Sequence, residues 1–244
     1  MARARCGRTR CRRGDARTDS IRSVSESEIE RLSREARAAV EDEDLSLARS
    51  RYFRLTEIDG THARSWINYG AVCGELEDTP EAERAFARAL EIDPGSRDAL
   101  SNLGVVNRDV GKLAQAESLF RTVVSLDPAF VFGHYNLAHT LFLAGRFAES
   151  AEAYHAGLKL DPAKTANQNA RLAWALLANG EDKAARRELR RALERTSAEE
   201  TQALLAEASE VLAAIDSALP ARERETARVR ALVVDWARDR RRAR

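Results

Sequence analysis

Small and large apolar residues recur along this chain at a constant interval of 34 residues. The small positions are Gly70, Gly104 and Ala138, and the aromatic positions are Phe86, Phe120 and Tyr154. The sequence Ile-Asp-Pro or Leu-Asp-Pro recurs at the same interval, at 92–94, 126–128 and 160–162. A fixed period of roughly 20–50 residues is typical of stacked structural units. The pattern therefore predicts a repeat protein.

Each predicted unit is a pair of antiparallel α-helices. Alanine, arginine, leucine and glutamate dominate the composition and favour helix formation. Pro94, Pro128 and Pro162 each stop the second helix of a unit, because proline offers no N–H donor and disfavours helix at the residue before it. Gly111 and Gly145 mark the turn between the two helices. No unit can bury its apolar face alone, so neighbouring units must stack.

One unit shows an order of apolar and small positions that identifies a family. It reads Trp66-x-x-Tyr69-Gly70-x-x-Cys73, then Ala82-x-x-x-Phe86 and Pro94. This order resembles the tetratricopeptide repeat. The resemblance covers regular repeats at 63–96, 97–130 and 131–164, and degenerate repeats at 29–62 and 165–198. It implies an all-α fold, an α-α superhelix or solenoid of about five helix-turn-helix repeats.

The two ends of the chain differ in charge from the repeats. Residues 1–24 carry eight arginines and two aspartates, and residues 220–244 carry nine arginines and four acidic residues. We expect 1–24 to be a disordered arginine-rich leader or the product of a misassigned start, and 25–198 to be the repeat array. Two amphipathic stretches follow in residues 199–244, and they are predicted to form a helical hairpin that caps the array and ends in a basic tail.

The resemblance also implies a concave groove, lined by the first helices of successive repeats, that binds extended peptides. Asn68, Asn102 and Asn136 recur at one place in three repeats. A carboxamide can donate to a peptide C=O and accept from its N–H, so these residues are predicted to hold a peptide backbone. The alternative is that they bond to the adjacent repeat. Arg34 and Arg171 interrupt the series in the flanking repeats.

Aromatic residues form a second candidate feature on the first helix of the repeat at 131–164. Phe132, Tyr135, His139 and Phe142 are spaced so that they share one helix face, and Trp174 continues the stripe in the next repeat. We predict a hydrophobic pocket for a partner's anchoring side chains. The alternative is that the helices after residue 198 fold back and cover this stripe.

Two charged residues, Arg108 and Arg171, are also expected to point into this groove. They do not complete a carboxylate clamp, because family members of that kind carry a Lys/Asn/Asn/Lys/Arg set and only the asparagines are present here. The complete predicted peptide-binding set is Asn68, Asn102, Asn136, Arg108, Phe132, Tyr135, His139, Phe142, Arg171 and Trp174.

Catalysis is not supported by any motif in the sequence. There is no phosphate loop, dinucleotide fingerprint or metal-ligand spacing. His134 takes the place of Trp66 two repeats earlier and Cys73 takes a core place, so both are predicted to be packing residues. Cys6 and Cys11 form a pair with no further candidate ligands. We predict a protein that is not an enzyme and that has no cofactor, metal or catalytic residues.

The predicted function is that of an adaptor or scaffold that binds a peptide or helix of a partner protein in the groove. The alternative is a nucleic-acid-associated regulator that uses the basic arms, which the acidic body disfavours: residues 25–219 hold 23 basic and 33 acidic groups. No apolar stretch is long enough to span a membrane. The composition and three cysteines favour a bacterial, cytoplasmic protein. Nothing in the sequence names the partner.

Overall fold

The computed structural model describes residues 16–161, 166–195 and 213, and every element in this part of the chain is an α-helix. The helices in chain order are α1 (Ala16–Glu41), α2 (Leu45–Ile58), α3 (Ala63–Glu75), α4 (Thr79–Ile92), α5 (Arg97–Asp109), α6 (Leu113–Leu126), α7 (Val131–Leu143), α8 (Phe147–Leu160), α9 (Ala166–Asn179) and α10 (Asp182–Arg195). The prediction of an all-α helical solenoid is confirmed.

Within the described part of the chain, the helices follow one another as five pairs. Helix α1 begins at Ala16, within the segment 1–24 that was expected to be a leader. Residues 1–15 lie outside the described part of the chain. So does the predicted capping hairpin at 199–244, apart from Ala213. No described helix combines the length and hydropathy needed to cross a membrane.

The chain divides into two compact units, Met1–Asp93 and Pro94–Arg244. In the first unit, α2 packs on α1 and α3, and α3 packs on α4. In the second unit, consecutive helices from α5 to α10 pack against each other, and α7 also contacts α5 and α9. The first helices of three successive repeats therefore lie side by side in the second unit.

The tight turn inside each repeat needs a left-handed backbone conformation. Gly111, Gly145 and Gly180 adopt φ values of 79°, 75° and 95° there, and Glu43 and Glu77 adopt 58° and 60° in the first two repeats. Glycine reaches this region without the steric cost that a side chain brings. The glycine spacing predicted this turn in later repeats, and the two glutamates show that the backbone keeps it without glycine.

Replacing Gly145 with alanine is expected to lower the free energy of unfolding by about 1–2 kcal/mol, because the methyl group disfavours positive φ. A methyl group at this position would have no non-neighbouring atom within 4 Å, so crowding does not contribute. Urea denaturation of the full chain measures the change. Glu77→Gly is the matched opposite, expected to leave stability unchanged or to raise it, and a clear loss in that variant would contradict the argument.

Small and large residues face each other between the two helices of a repeat. A Cβ atom added at Gly104 would lie 2.7 Å from Cζ of Phe120, and one at Gly70 would lie 2.9 Å from Cε1 of Phe86. Both phenylalanines are completely buried. The absent side chain is therefore what lets the two helix backbones approach and the ring fill the space between them.

Candidate peptide-binding surface

The ten predicted site residues are divided between the two units. Asn68 lies on α3 in the first unit, and the other nine lie on α5, α7 and α9 in the second unit. The second unit thus contains most of the candidate site, and its geometry is described by itself below. Six half-buried residues of these three helices form what we call the groove surface: Asn102, Arg108, Asn136, His139, Phe142 and Arg171.

Arg108 joins two of the three helices of the groove surface. Its Nη1 atom donates a hydrogen bond of 3.3 Å to Oδ1 of Asn136 on α7. Its Nε and Nη2 atoms both lie 3.0 Å from Oδ1 of Asp109. Only 13% of the Arg108 side chain is exposed. The carboxamide oxygen of Asn136 therefore already has a donor from the adjacent repeat, which is the alternative role considered for the asparagine series.

Asp109 is an exposed residue beside the groove surface, and the repeat pattern did not single it out. Its carboxylate lies beside the guanidinium of Arg108 and fixes that side chain in position. The only signal in the sequence was its place directly after a candidate arginine, which is too common an arrangement to indicate a role.

His139 lies among the charges of this surface. Desolvation by burial, followed by the positive charges of Arg108 and Arg171, lowers the pKa of His139 to about 4. The imidazole is therefore neutral at neutral pH and can donate one hydrogen bond and accept another. Arg108 on α5 and Arg171 on α9 both act electrostatically on His139 of α7, and their place in a peptide-binding groove stays a prediction.

Lowering the pH from about 6.5 towards 4 is expected to reduce the free energy of unfolding. In the folded chain the pKa of His139 is about 4, whereas its ordinary value is 6.5. Between these two pH values the unfolded chain binds a proton at His139 and the folded chain does not. The free energy of unfolding therefore has its full value above pH 6.5 and decreases as the pH falls towards 4. After allowance for partial exposure, the loss is on the order of 2 kcal/mol.

Urea denaturation of the full chain at several pH values measures this decline. His139→Gln carries no titrating group and should flatten the curve between these pH values. His155→Gln, which removes an exposed histidine of α8, is the control and should follow the parent chain. An unchanged slope in the His139 variant would show that another group causes the decline.

Two aromatic residues of the predicted stripe are packing residues in this structure. Only 7% of Tyr135 and 1% of Trp174 is exposed. The ring of Tyr135 lies over Gly157 of α8, and its centroid is 6.3 Å from that of Tyr154. Burial raises the pKa of the Tyr135 hydroxyl to about 12. Neither ring offers an accessible surface to a partner, so both are left out of the groove surface.

The remaining aromatic residues differ in exposure. Phe132, at the start of α7, is 55% exposed, and its ring centroid lies 5.9 Å from that of Phe130. Phe142 is half-buried and packs edge-on against Phe147, with centroids 5.3 Å apart. The stripe therefore has one accessible ring at its N-terminal end and a half-covered ring at its C-terminal end.

His134 and Cys73, the residues considered in the search for a catalytic site, have the surroundings of packing residues. Nε2 of His134 lies 2.9 Å from the carbonyl oxygen of Pro128, just as Nε1 of Trp66 lies 3.0 Å from that of Gly60. Cys73 is a buried free thiol whose pKa is raised by burial, so the reactive thiolate is disfavoured. No group of three or more potential metal ligands is found among the described residues.

Comparison with known proteins points to one family. Two family models described as tetratricopeptide repeat match residues 74–130 and 131–164. A solved structure of MamA is 16% identical, with 69% of this chain and 92% of that chain covered and a TM-score of 0.62. MamA from Desulfovibrio magneticus RS-1 is 16% identical, with coverages of 68% and 94% and a TM-score of 0.64.

A third similar structure is YrrB, described as a TPR protein with an unusual peptide-binding site. It is 20% identical, with 65% of this chain and 81% of that chain covered and a TM-score of 0.56. At these identities the three structures show a shared fold alone. No curated protein sequence matches the chain significantly. The repeat pattern, the paired helices and the two family matches agree, and residues 74–164 of this chain are tetratricopeptide repeats.

Proposed function

We propose that this protein is an interaction scaffold that binds an extended segment of a partner protein along the groove surface of its second unit. The observation that carries the proposal is the contact between α5 and α7 through Arg108 and Asn136, beside the neutral His139. Arg108 and Asn136 are half-buried and hold each other in position, so little of their side-chain entropy remains to be lost when a ligand binds.

The chemistry of the groove surface suits a peptide backbone better than a particular side chain. Asn102, Asn136 and His139 can pair with backbone N–H and C=O groups. Each such hydrogen bond contributes roughly 0.5–1.5 kcal/mol, so polar contacts alone bind weakly. Phe132 is an exposed apolar residue of α7, which also carries Asn136 and His139, and burying its ring against a partner adds about 1.5–3 kcal/mol.

Two further points support the same proposal. YrrB, described as having an unusual peptide-binding site, has this fold, so a helical array of this kind can serve such a purpose. The described residues also include no metal-ligand cluster, and the buried Cys73 is a poor nucleophile. We accordingly propose a binding role in place of catalysis. The cytoplasmic localisation and bacterial origin remain predictions.

Affinity capture from the source lysate, read by mass spectrometry, tests the proposal. The baits are the full chain and its Asn102→Ala/Asn136→Ala variant. The control bait is Asn179→Ala, which removes an exposed asparagine at the end of α9. We expect a set of proteins held by the parent and the control and depleted from the double variant. Equal recovery by all three baits would remove the asparagines from the binding site.

The alternative function as a nucleic-acid-associated regulator rests on the arginines of 1–24 and 220–244, whose side chains lie outside the described part of the chain. No described feature favours it. Electrostatic binding to phosphates would weaken steeply as salt is raised. Fluorescence anisotropy with labelled DNA and RNA at several salt concentrations would reveal such binding, and its absence at low salt would exclude this role for the arms.

A further inference from the structure

Helix α10 has a surface that the proposed function does not use. Its core side contains Ala185, Leu189 and Ala192, which are buried. The opposite side carries a row of five cations that we call the basic stripe: Lys183, Arg186, Arg187, Arg190 and Arg191. Their spacing of three and four residues places them on one helix face. Together with Glu194 they border a surface recess of about 500 Å³.

A buried acidic residue holds part of the basic stripe in place. Glu188 is 2% exposed, and its carboxylate lies 3.2 Å from Nε of Arg187 and 2.9 Å from Nη1 of Arg191. A single carboxylate thus serves two guanidinium groups. Lys183 and Arg190 form no ion pair with the described residues. The stripe therefore keeps an excess of positive charge, and two of its five cations are held by Glu188.

The complementary charge is present on the first unit of the same chain. The turn between α1 and α2 contains four consecutive exposed acidic residues, Glu41, Asp42, Glu43 and Asp44, which we call the acidic turn. Asp44 caps α2 by accepting a hydrogen bond of 3.0 Å from the Leu47 N–H. The side chains of the other three form no ion pair with the described residues.

The basic stripe is long enough to receive the acidic turn. Lys183 and Arg191 are eight residues apart, which corresponds to about 12 Å along a helix. The acidic turn is more compact than an extended chain, because Glu43 adopts a φ of 58° and its N–H donates to the carbonyl oxygen of Val40. The acidic turn can therefore face part of the basic stripe. Three repeats separate the two patches in the sequence.

We infer that the basic stripe of α10 binds the acidic turn of a second copy of this chain. Such a contact joins two different surfaces, so each added copy leaves one basic stripe and one acidic turn available. Contacts of this kind produce rings when the rotation closes and open chains when it does not. The association is weak and sensitive to salt, because exposed charges are screened within about 8 Å at physiological ionic strength.

An acidic segment of a protein fits the basic stripe better than a nucleic acid does. No aromatic residue lies in the basic stripe, so bases would find no stacking surface there. Residues 25–219, which contain the stripe, hold 33 acidic against 23 basic groups, and this excess repels a polyanion. The acidic turn consists of four neighbouring residues. It can therefore contact the stripe without bringing a long, negatively charged chain close to the acidic repeats.

Sedimentation velocity of the full chain, treated with nuclease and measured at low salt over a range of concentrations, tests the inference. The parent should form species larger than a monomer, and raising the salt should weaken the association about tenfold or more. Lys183→Glu/Arg190→Glu and Asp42→Lys/Glu43→Lys should each be monomeric alone. An equimolar mixture of the two variants should associate again, because each still offers one intact patch to the other.

Lys159→Glu, which reverses an exposed charge on α8 outside the stripe, is the control and should assemble like the parent. A parent chain that stays monomeric at low salt overturns the inference, and so do charge-reversed variants that assemble unchanged. Assembly that disappears on nuclease treatment would also overturn it and would identify nucleic acid as the ligand. Because the acidic turn and α10 lie outside the groove surface, none of these outcomes decides the proposed peptide binding.

Discussion

Replacing Gly157 with valine is expected to lower the free energy of unfolding by about 3 kcal/mol. A Cβ atom at this position would lie 2.5 Å from Cε1 and 2.7 Å from Cδ1 of Tyr135, which is far inside the contact distance of two carbon atoms. Tyr135 is itself enclosed by the core and cannot move aside freely. Adding methyl groups to a filled core costs about 1–3 kcal/mol and sometimes more.

The preceding repeat suggests a substitution that should relieve this strain. Thirty-four residues earlier, the corresponding positions are Ser101 and Val123, so a small residue on the first helix accompanies a larger one on the second. Tyr135→Ser alone should cost about 3–5 kcal/mol by leaving a cavity. The double variant Tyr135→Ser/Gly157→Val should lose about 2 kcal/mol less than the sum of the two single losses.

Urea denaturation of the full chain followed by circular dichroism measures all four proteins. Gly74→Val is the control, because a Cβ atom at Gly74 would have no atom of another residue within 4 Å outside its own turn of helix, and it should cost little. If the loss in the double variant equals the sum of the two single losses, Tyr135 and Gly157 do not determine each other's size.

The second large effect concerns affinity for a partner. For a segment mapped within a protein captured by the parent bait, the variant Asn102→Ala/Phe132→Ala/Asn136→Ala is expected to bind about a hundredfold more weakly. Loss of an apolar anchor removes about 1.5–3 kcal/mol and loss of each hydrogen bond roughly 0.5–1.5 kcal/mol, and such losses rarely add in full. A factor of one hundred corresponds to about 2.7 kcal/mol.

Fluorescence anisotropy with the labelled segment gives this ratio directly. Phe53→Ala is the matched control, since Phe53 is an exposed phenylalanine of similar accessibility on α2 of the first unit. The control should bind like the parent. If it weakens binding as much as the triple variant does, or if the triple variant binds normally, the contact lies outside the groove surface.

The fold could be predicted from the sequence because the same arrangement of small and large residues recurs in several repeats. A glycine such as Gly104, 16 residues before Phe120, recurs as a small-large pair in the neighbouring repeats, and each recurrence strengthens the assignment. The turns were predicted only where glycine marks them. Glu43 and Glu77 adopt the same left-handed conformation without a glycine to mark it in the sequence.

The candidate site could be predicted only in part. Spacing along α7 gives the face on which a residue lies but not its depth. Tyr135 is buried because Gly157 on the neighbouring helix leaves room for its ring, and that relation becomes visible only when the two helices are paired. The bond between Arg108 and Asn136 joins residues 28 positions apart and depends on side-chain geometry that a repeat pattern does not contain.

Hydrogen–deuterium exchange of the full chain, with and without the captured partner segment, tests the central claim most directly. Peptides from α5 and α7, which carry Asn102, Arg108, Asn136 and His139, should exchange more slowly in the complex, while those from α2 and α4 should not change. Protection confined to α10 or to the first unit, with α5 and α7 unchanged, would contradict binding at the groove surface.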